Sequence, residues 1–354
     1  MNKIVVRTHK GEYSAGETVY GMVYLKIARP NFKDTIQLQV NGHEECIYEP
    51  QFGDDWTINH MNEHLCSPYG DKLMTSPVEI YTPSDPLPVG SYKFPFQYRL
   101  KPGLPCSTSI TSMPPSKWRG NVMYTVTAFA SDTLRHSQDF VCMGRREVDL
   151  VKVGYHTETT IKKCFCYDSG RISLFVELDR PSYNTGETIH LSVKVNNNTS
   201  ERAKSVKCWL RRTVKLSGCW LPTESTEDPI YSSHGLKRRE GVVSIDAENI
   251  NYTCLGSIAP KEDREWNHEF QLHRPDGSVL PPSTAGKYLK IVYGISVHVS
   301  IPRATDLLVE FPISAIMPVA NKSWLEWRCQ SWMNQCQQLP RTDSLAVSQP
   351  VLES

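Results

Sequence analysis

Residues His60-Met61-Asn62-Glu63-His64 spell H-x-x-E-H, a spacing with which a helix offers two imidazoles to one Zn²⁺ and a glutamate as general base. That chemistry needs both histidines on one helical face, and the surrounding residues 49–86 are polar, Pro-rich and without an apolar helical period. Cys164 and Cys166 offer two thiols one residue apart, with no second pair nearby to complete a metal site. No Gly-x-Ser-x-Gly elbow and no phosphate-cradling Gly-rich loop occurs in the chain. The residues therefore assemble no catalytic constellation, no metal site and no cofactor site. A zinc-dependent hydrolase built on His60 and His64 stands as the alternative from a different functional class.

The remaining chemistry is charge and aromaticity. Arg145-Arg146, Lys162-Lys163, Arg211-Arg212 and Lys237-Arg238-Arg239 are small basic clusters, read first as solvated strand ends and loops, and second as sites for phosphorylated tails or anionic headgroups. Trp324, Trp327 and Trp332, with Leu325 and Met333, make the C-terminal segment apolar; the expectation is that it packs back on the second half of the chain. Thirty-nine basic against 38 acidic residues leave a net charge of +1 over 354 residues, which argues against a nucleic-acid binder that depends on phosphate contacts. No apolar run approaches the ~20 residues of a membrane helix. The start, Met1 to Arg7, is not a secretory leader, and eleven scattered cysteines read as reduced thiols. A cytoplasmic protein is expected. The sequons at Asn197, Asn198, Asn251 and Asn321 would favour a secreted adhesion sandwich instead.

These residues need a scaffold, and the pattern supplies one. Ile172, Leu174, Val176 and Leu178 alternate with polar residues; so do Ile189, Leu191, Val193 and Val195, after the turn Asp179–Glu187. Period two with one apolar parity describes a half-buried strand. Tyr13-x-x-Gly16-Glu17 repeats as Tyr183-x-x-Gly186-Glu187, 170 residues later, with both glycines expected in equivalent turns. The aromatic strand at Phe94, the Pro-Pro-Ser breaks after Met113 and Leu280, and the strands at Tyr124 and Tyr293 keep nearly the same offset. One duplicated domain explains all of them. The fold class expected is all-β: two tandem immunoglobulin-like β-sandwiches over residues 1–155 and 172–318, joined by a linker at 156–171 and followed by a tail at 319–354.

The chain resembles the arrestins, and among them the α-arrestins, or arrestin-domain-containing proteins. The carriers are Lys162-Lys163-Cys164-Phe165-Cys166 followed by Ser169 to Leu174, Val195-Asn196-Asn197-Asn198-Thr199-Ser200, and Ile301-Pro302 with Leu307 to Ile313. In the first half they are Leu87-Pro88-x-Gly90-x-Tyr92-x-Phe94-Pro95-Phe96 and Pro114-Pro115-Ser116. The resemblance implies a non-enzymatic adaptor recruited to plasma membrane or endosomes. Its implied partners are membrane-protein cargo tails and either ubiquitin ligases or endosomal sorting machinery, with peripheral membrane association and no nucleic acid. Lys3, Arg7 and Lys10 resemble the basic first strand with which some arrestins contact phosphates. A retromer-type coat subunit of the same fold is the alternative within the binding class. The Pro-Pro-x-Tyr motifs that end many α-arrestins are absent: both Pro-Pro pairs run into Ser-Lys or Ser-Thr.

Overall fold

Alternating apolar residues build four sheets, packed as two sandwiches, in a computed structural model that describes residues 1–49, 69–74, 77–111, 117–143, 153–163, 167–220, 240–274, 277–302, 304–316 and 322–339. In the first sandwich one sheet runs β1 (Lys3–Thr8), β3 (Thr18–Ile27), β7 (Gly90–Arg99) and β21 (Gln337–Gln338). The facing sheet runs β2 (Glu12–Ser14), β10 (Arg135–Met143), β9 (Lys117–Phe129), β4 (Ile36–Glu49) and β5 (Tyr69–Met74), with β6 (Val78–Tyr81) beside β4 and β8 (Thr108–Thr111) beside β9. The second sandwich pairs β11 (Val153–Lys163), β12 (Tyr167–Leu178), β14 (Thr188–Thr199) and β17 (Glu262–Gln271) against a sheet of β13 (Ser182–Asn184), β20 (Leu307–Ile316), β19 (Leu289–Ser300), β15 (Ala203–Trp220) and β16 (Glu240–Ile258), with β18 (Thr284–Ala285) beside β19. The buried parity of each strand fills the space between sheets: Val19, Val23, Leu25 and Phe94 in one core, Leu174, Val193, Phe270 and Tyr293 in the other.

The repeated turn is reproduced side chain by side chain. Gly16 and Gly186 take φ of 83° and 89°, a left-handed conformation that glycine reaches without a Cβ penalty. Glu17 and Glu187 each accept the main-chain N–H three residues back, Ser14 and Asn184, at 2.9 Å. Lys10 lies over the Tyr13 ring and pairs with Glu17; Arg180 lies over the Tyr183 ring and pairs with Glu187 at 3.0 Å.

Three expectations are revised. Residues 156–171, read as a linker, are strand over 156–163 and 167–171, because Thr157 and Thr159 extend the alternation with β-branched residues and pair with β12, and Ile161 continues that parity, buried at a shift in register. The stretch 49–86, read as one long excursion, contains β5 and β6: β5 is held by main-chain pairing to β4 in place of an apolar pattern, and the short β6 pairs with β4 and buries Ile80 in the core. The apolar tail packs on the first sandwich instead of the second: Met333 is buried there, and β21 adds to the edge of β7, Gln337 opposite Tyr92. The H-x-x-E-H segment, Cys164, Cys166, Pro114-Pro115-Ser116, Arg145-Arg146 and Lys237-Arg238-Arg239 fall outside the described residues.

One further contact joins the sandwiches. Glu44 falls on the inward parity of β4, after Ile36, Leu38 and Val40, and is fully buried. Its carboxylate accepts three main-chain N–H groups of the second sandwich: Tyr288 and Leu289 at 2.7 Å and Lys287 at 3.0 Å. Successive N–H groups around one carboxylate form an anion nest, which replaces the water the charge gives up. Gly286 makes the fit, since a Cβ there would stand 2.1 Å from the Glu44 Oε1. The Leu289 side chain lies over Gly120, and the Thr284 hydroxyl donates to the Cys106 carbonyl at 3.1 Å.

Candidate functional site

Lys3, Arg7 and Lys10 do not form one open basic surface. Lys3 and Arg7 share the outward parity of β1 with Val5, and the tail lies across that face. A short helix, Lys322–Leu325, brings Trp324 over Arg7, and Trp327 covers it from a second side, with the guanidinium carbon 4.0 and 4.5 Å from the two ring centroids. An arginine between indoles gains the attraction of cation for ring and keeps its planar donors usable at the edges. Arg7 Nη2 donates to the Trp324 carbonyl at 3.0 Å, while Nη1 is buried without an acceptor. Burial lowers the Arg7 pKa from its ordinary value; Tyr13 and Tyr24 act in the opposite direction. Trp324 Nε1 donates to the Thr8 hydroxyl at 3.0 Å, and Lys3 Nζ donates to the Gln330 side chain at 2.7 Å.

The tail then crosses the sheet. Trp332 meets Tyr24 of β3 edge-on, with ring centroids 6.4 Å apart. Beneath it Val5 is 2% exposed and Met333 3% exposed, although neither belongs to the main core. That burial is the apolar component of tail docking; the rest is the Arg7 sandwich and the β21 pairing. Lys10 lies apart, committed to the Tyr13–Glu17 turn as the counterpart of Arg180. Lys162 and Lys163 close β11, and Arg211 stands 3.9 Å from Glu310.

Sequence reasoning missed two features of this region. The tail's destination was one, because a contact between residues more than 300 apart leaves no local pattern. Glu44 was the other, and a signal for it existed: a glutamate standing on a parity otherwise apolar from Ile36 to Cys46. Among the described residues, no group of three His, Cys, Asp or Glu side chains is placed to hold a metal ion.

Comparison with known proteins accounts for this architecture. Residues 3–148 match the family described as Arrestin (or S-antigen), N-terminal domain, and residues 168–318 match Arrestin (or S-antigen), C-terminal domain. The chain belongs to the arrestin family. It is similar to arrestin domain-containing protein 4 of Mus musculus, 24% identical over 327 residues that cover 86% of this chain and 68% of that one. It is also similar to arrestin domain-containing protein A of Dictyostelium discoideum, 18% identical over 336 residues, 90% of this chain and 51% of that one. Phosrestin-1 of Drosophila melanogaster matches over 136 residues at 29% identity, 36% of this arrestin and 34% of its own length. The chain thus spans about two thirds of the mouse relative, about half of the Dictyostelium one and about a third of Phosrestin-1. Matches along both domains to arrestin-domain-containing proteins are consistent with an α-arrestin. Arrestin-family proteins are generally non-enzymatic adaptors that bind partner proteins, and these relatives support that role here.

Proposed function

We propose that this arrestin is a cytoplasmic adaptor that gathers membrane-protein cargo for endosomal sorting or ubiquitin-dependent turnover, and that phosphorylated cargo tails bind at β1. The observation that carries the reading is the occupancy of Lys3 and Arg7. Among the described residues, both cations are held by neutral acceptors and aromatic rings of the chain's own tail. A phosphate would offer the Arg7 fork a charged, bidentate acceptor in place of one carbonyl, a stronger bond for the same donors. Lys10 takes part from the neighbouring turn by giving up Glu17. Peripheral membrane association follows from the cargo, since none of the described helices is long and apolar enough to cross a bilayer.

Binding of a doubly phosphorylated peptide to the purified chain tests this. Replacing Lys3, Arg7 and Lys10 together with Gln weakens binding at least about tenfold at low salt, and the difference narrows at high salt because exposed charges are screened within about 8 Å at physiological ionic strength. Trp324→Ala with Trp327→Ala strengthens binding by loosening the cover. A triple variant that binds as well as the natural chain at low salt overturns the assignment of these residues.

A further inference from the structure

The outer face of the second sandwich's β11–β12–β14–β17 sheet carries a notch of about 380 Å³. Strand register aligns its side chains in rows. His156, Phe175, Lys194 and Glu265 stand abreast on the four strands, and Gly154 and Glu177 belong to the next row. The floor is aromatic: His156 stacks on Phe175, ring centroids 4.2 Å apart and 18° from parallel, and Phe175 is 41% exposed. The gap exists because Gly154 has no side chain. Glu177 and Glu265 form the walls, Glu265 accepting from the Ser192 hydroxyl at 3.3 Å. The Asn196 amide also lines the notch, and its oxygen is shut off from solvent without a hydrogen-bond donor.

Each of these three features selects the same ligand chemistry. An exposed aromatic face attracts a cation through its ring quadrupole. The lining sets two carboxylates, Glu177 and Glu265, against the one Lys194 ammonium, a net negative charge that attracts a cation and disfavours phosphate, sulfate or a lipid headgroup. A buried acceptor without a donor is costly, and an N–H group entering the notch supplies the missing donor. A planar guanidinium meets all three at once, stacking on the floor while its fork reaches the walls; an ammonium has no flat face to stack. The chain that bears it has room to lie extended, because β11 is the sheet's edge and no described strand pairs with its outer side. We propose that this notch receives an arginine side chain from a basic, extended segment of a partner protein. The surface is separate from the tail-covered face of the first sandwich, so the two assignments stand or fall independently.

Calorimetric titration of the full chain with a short peptide of alternating glycine and arginine is the test. Saturable binding is expected, and the same peptide with citrulline at every arginine binds at least about tenfold more weakly, having lost the charge but kept the shape. Gly154→Leu fills the notch without a clash, since the atom nearest a new Cβ is the Val176 carbonyl oxygen at 4.0 Å. It cuts affinity at least about tenfold while the melting temperature holds. Glu177→Gln with Glu265→Gln weakens binding about fivefold and flattens its salt dependence. Lys3→Gln with Arg7→Gln leaves it unchanged. The proposal is overturned if neither peptide saturates, if citrulline binds equally well, if Gly154→Leu binds like the natural chain, or if neutralising the glutamates strengthens binding.

Discussion

Lys10 and Arg180 show what duplication does to a single charge. Each lies over the tyrosine and pairs with the glutamate of its own turn. The 170-residue spacing made Tyr13, Gly16 and Glu17 readable as partners of Tyr183, Gly186 and Glu187. Lys10 escaped that reading, because from the sequence alone a basic residue beside a strand looks the same whether it faces solvent, a ligand or the turn next to it. At Gly186 the consequence is measurable. No atom lies within 4 Å of a Cβ built there, so room is not the issue; the issue is a φ of 89°. Gly186→Val is expected to destabilise the protein by about 1–3 kcal/mol through backbone strain alone, and Gly186→Asn by less, because asparagine tolerates left-handed φ. Chemical denaturation of the two variants checks this; equal stability of valine and glycine forms would place the strain elsewhere.

Among the elements, β1 draws on groups outside the main-chain ladder. Its inner side pairs with β3, while on its outer side the main-chain N–H groups of Val6 and Thr8 donate to His136 Nδ1 at 3.3 Å and to the Gln138 side chain at 2.9 Å. These β10 side chains blunt an edge that would otherwise be open to another strand. His136 accepts a bond only when neutral at Nδ1, and burial, with Lys3 nearby, lowers its pKa. The unfolded chain therefore takes up this proton near pH 6.5 while the folded chain resists it, so the contribution is present above about pH 6.5 and is lost as pH falls below it. Melting temperature is expected to drop on acidification from about pH 7.5 to 5.5, and His136→Asn, which keeps an acceptor but does not titrate, flattens part of that slope. His268, lowered in the same direction by burial, accounts for some of the remainder. The strands with clean alternation, β3, β12, β14 and β19, were legible in advance. The strands β5 and β11 were not, since main-chain pairing to a neighbour holds a polar or threonine-rich strand that carries no apolar signature.

Across the whole molecule, the two sandwiches meet through Glu44 and the nest of residues 286–289. Glu44→Gln replaces an acceptor of three N–H groups with an amide that turns its own donors toward one of them, and costs about 1.5–3 kcal/mol. Gly286→Ala acts on the same contact, so the double variant should fall short of the sum of the singles. Calorimetry with small-angle scattering checks both stability and domain separation; full additivity with unchanged scattering would show that the contact does not set the arrangement. Ligase recruitment is also decided at this scale. WW domains grip Pro-Pro-x-Tyr through a preformed polyproline II backbone and a pocket for the ring. Both Pro-Pro pairs lack the tyrosine, and Pro282 of the second is buried. Titration with isolated WW domains is expected to give nothing tighter than about 10 μM, roughly −7 kcal/mol. The crossing of the tail adds a mechanical constraint. The chain passes from first sandwich to second between Met143 and Val153, and returns between Ile316 and Lys322 to place β21 beside β7. The nest of residues 286–289 around Glu44 is a further link between the sandwiches, so unseating Trp324 and Trp327 removes one of several connections and leaves the first crossing and the nest in place.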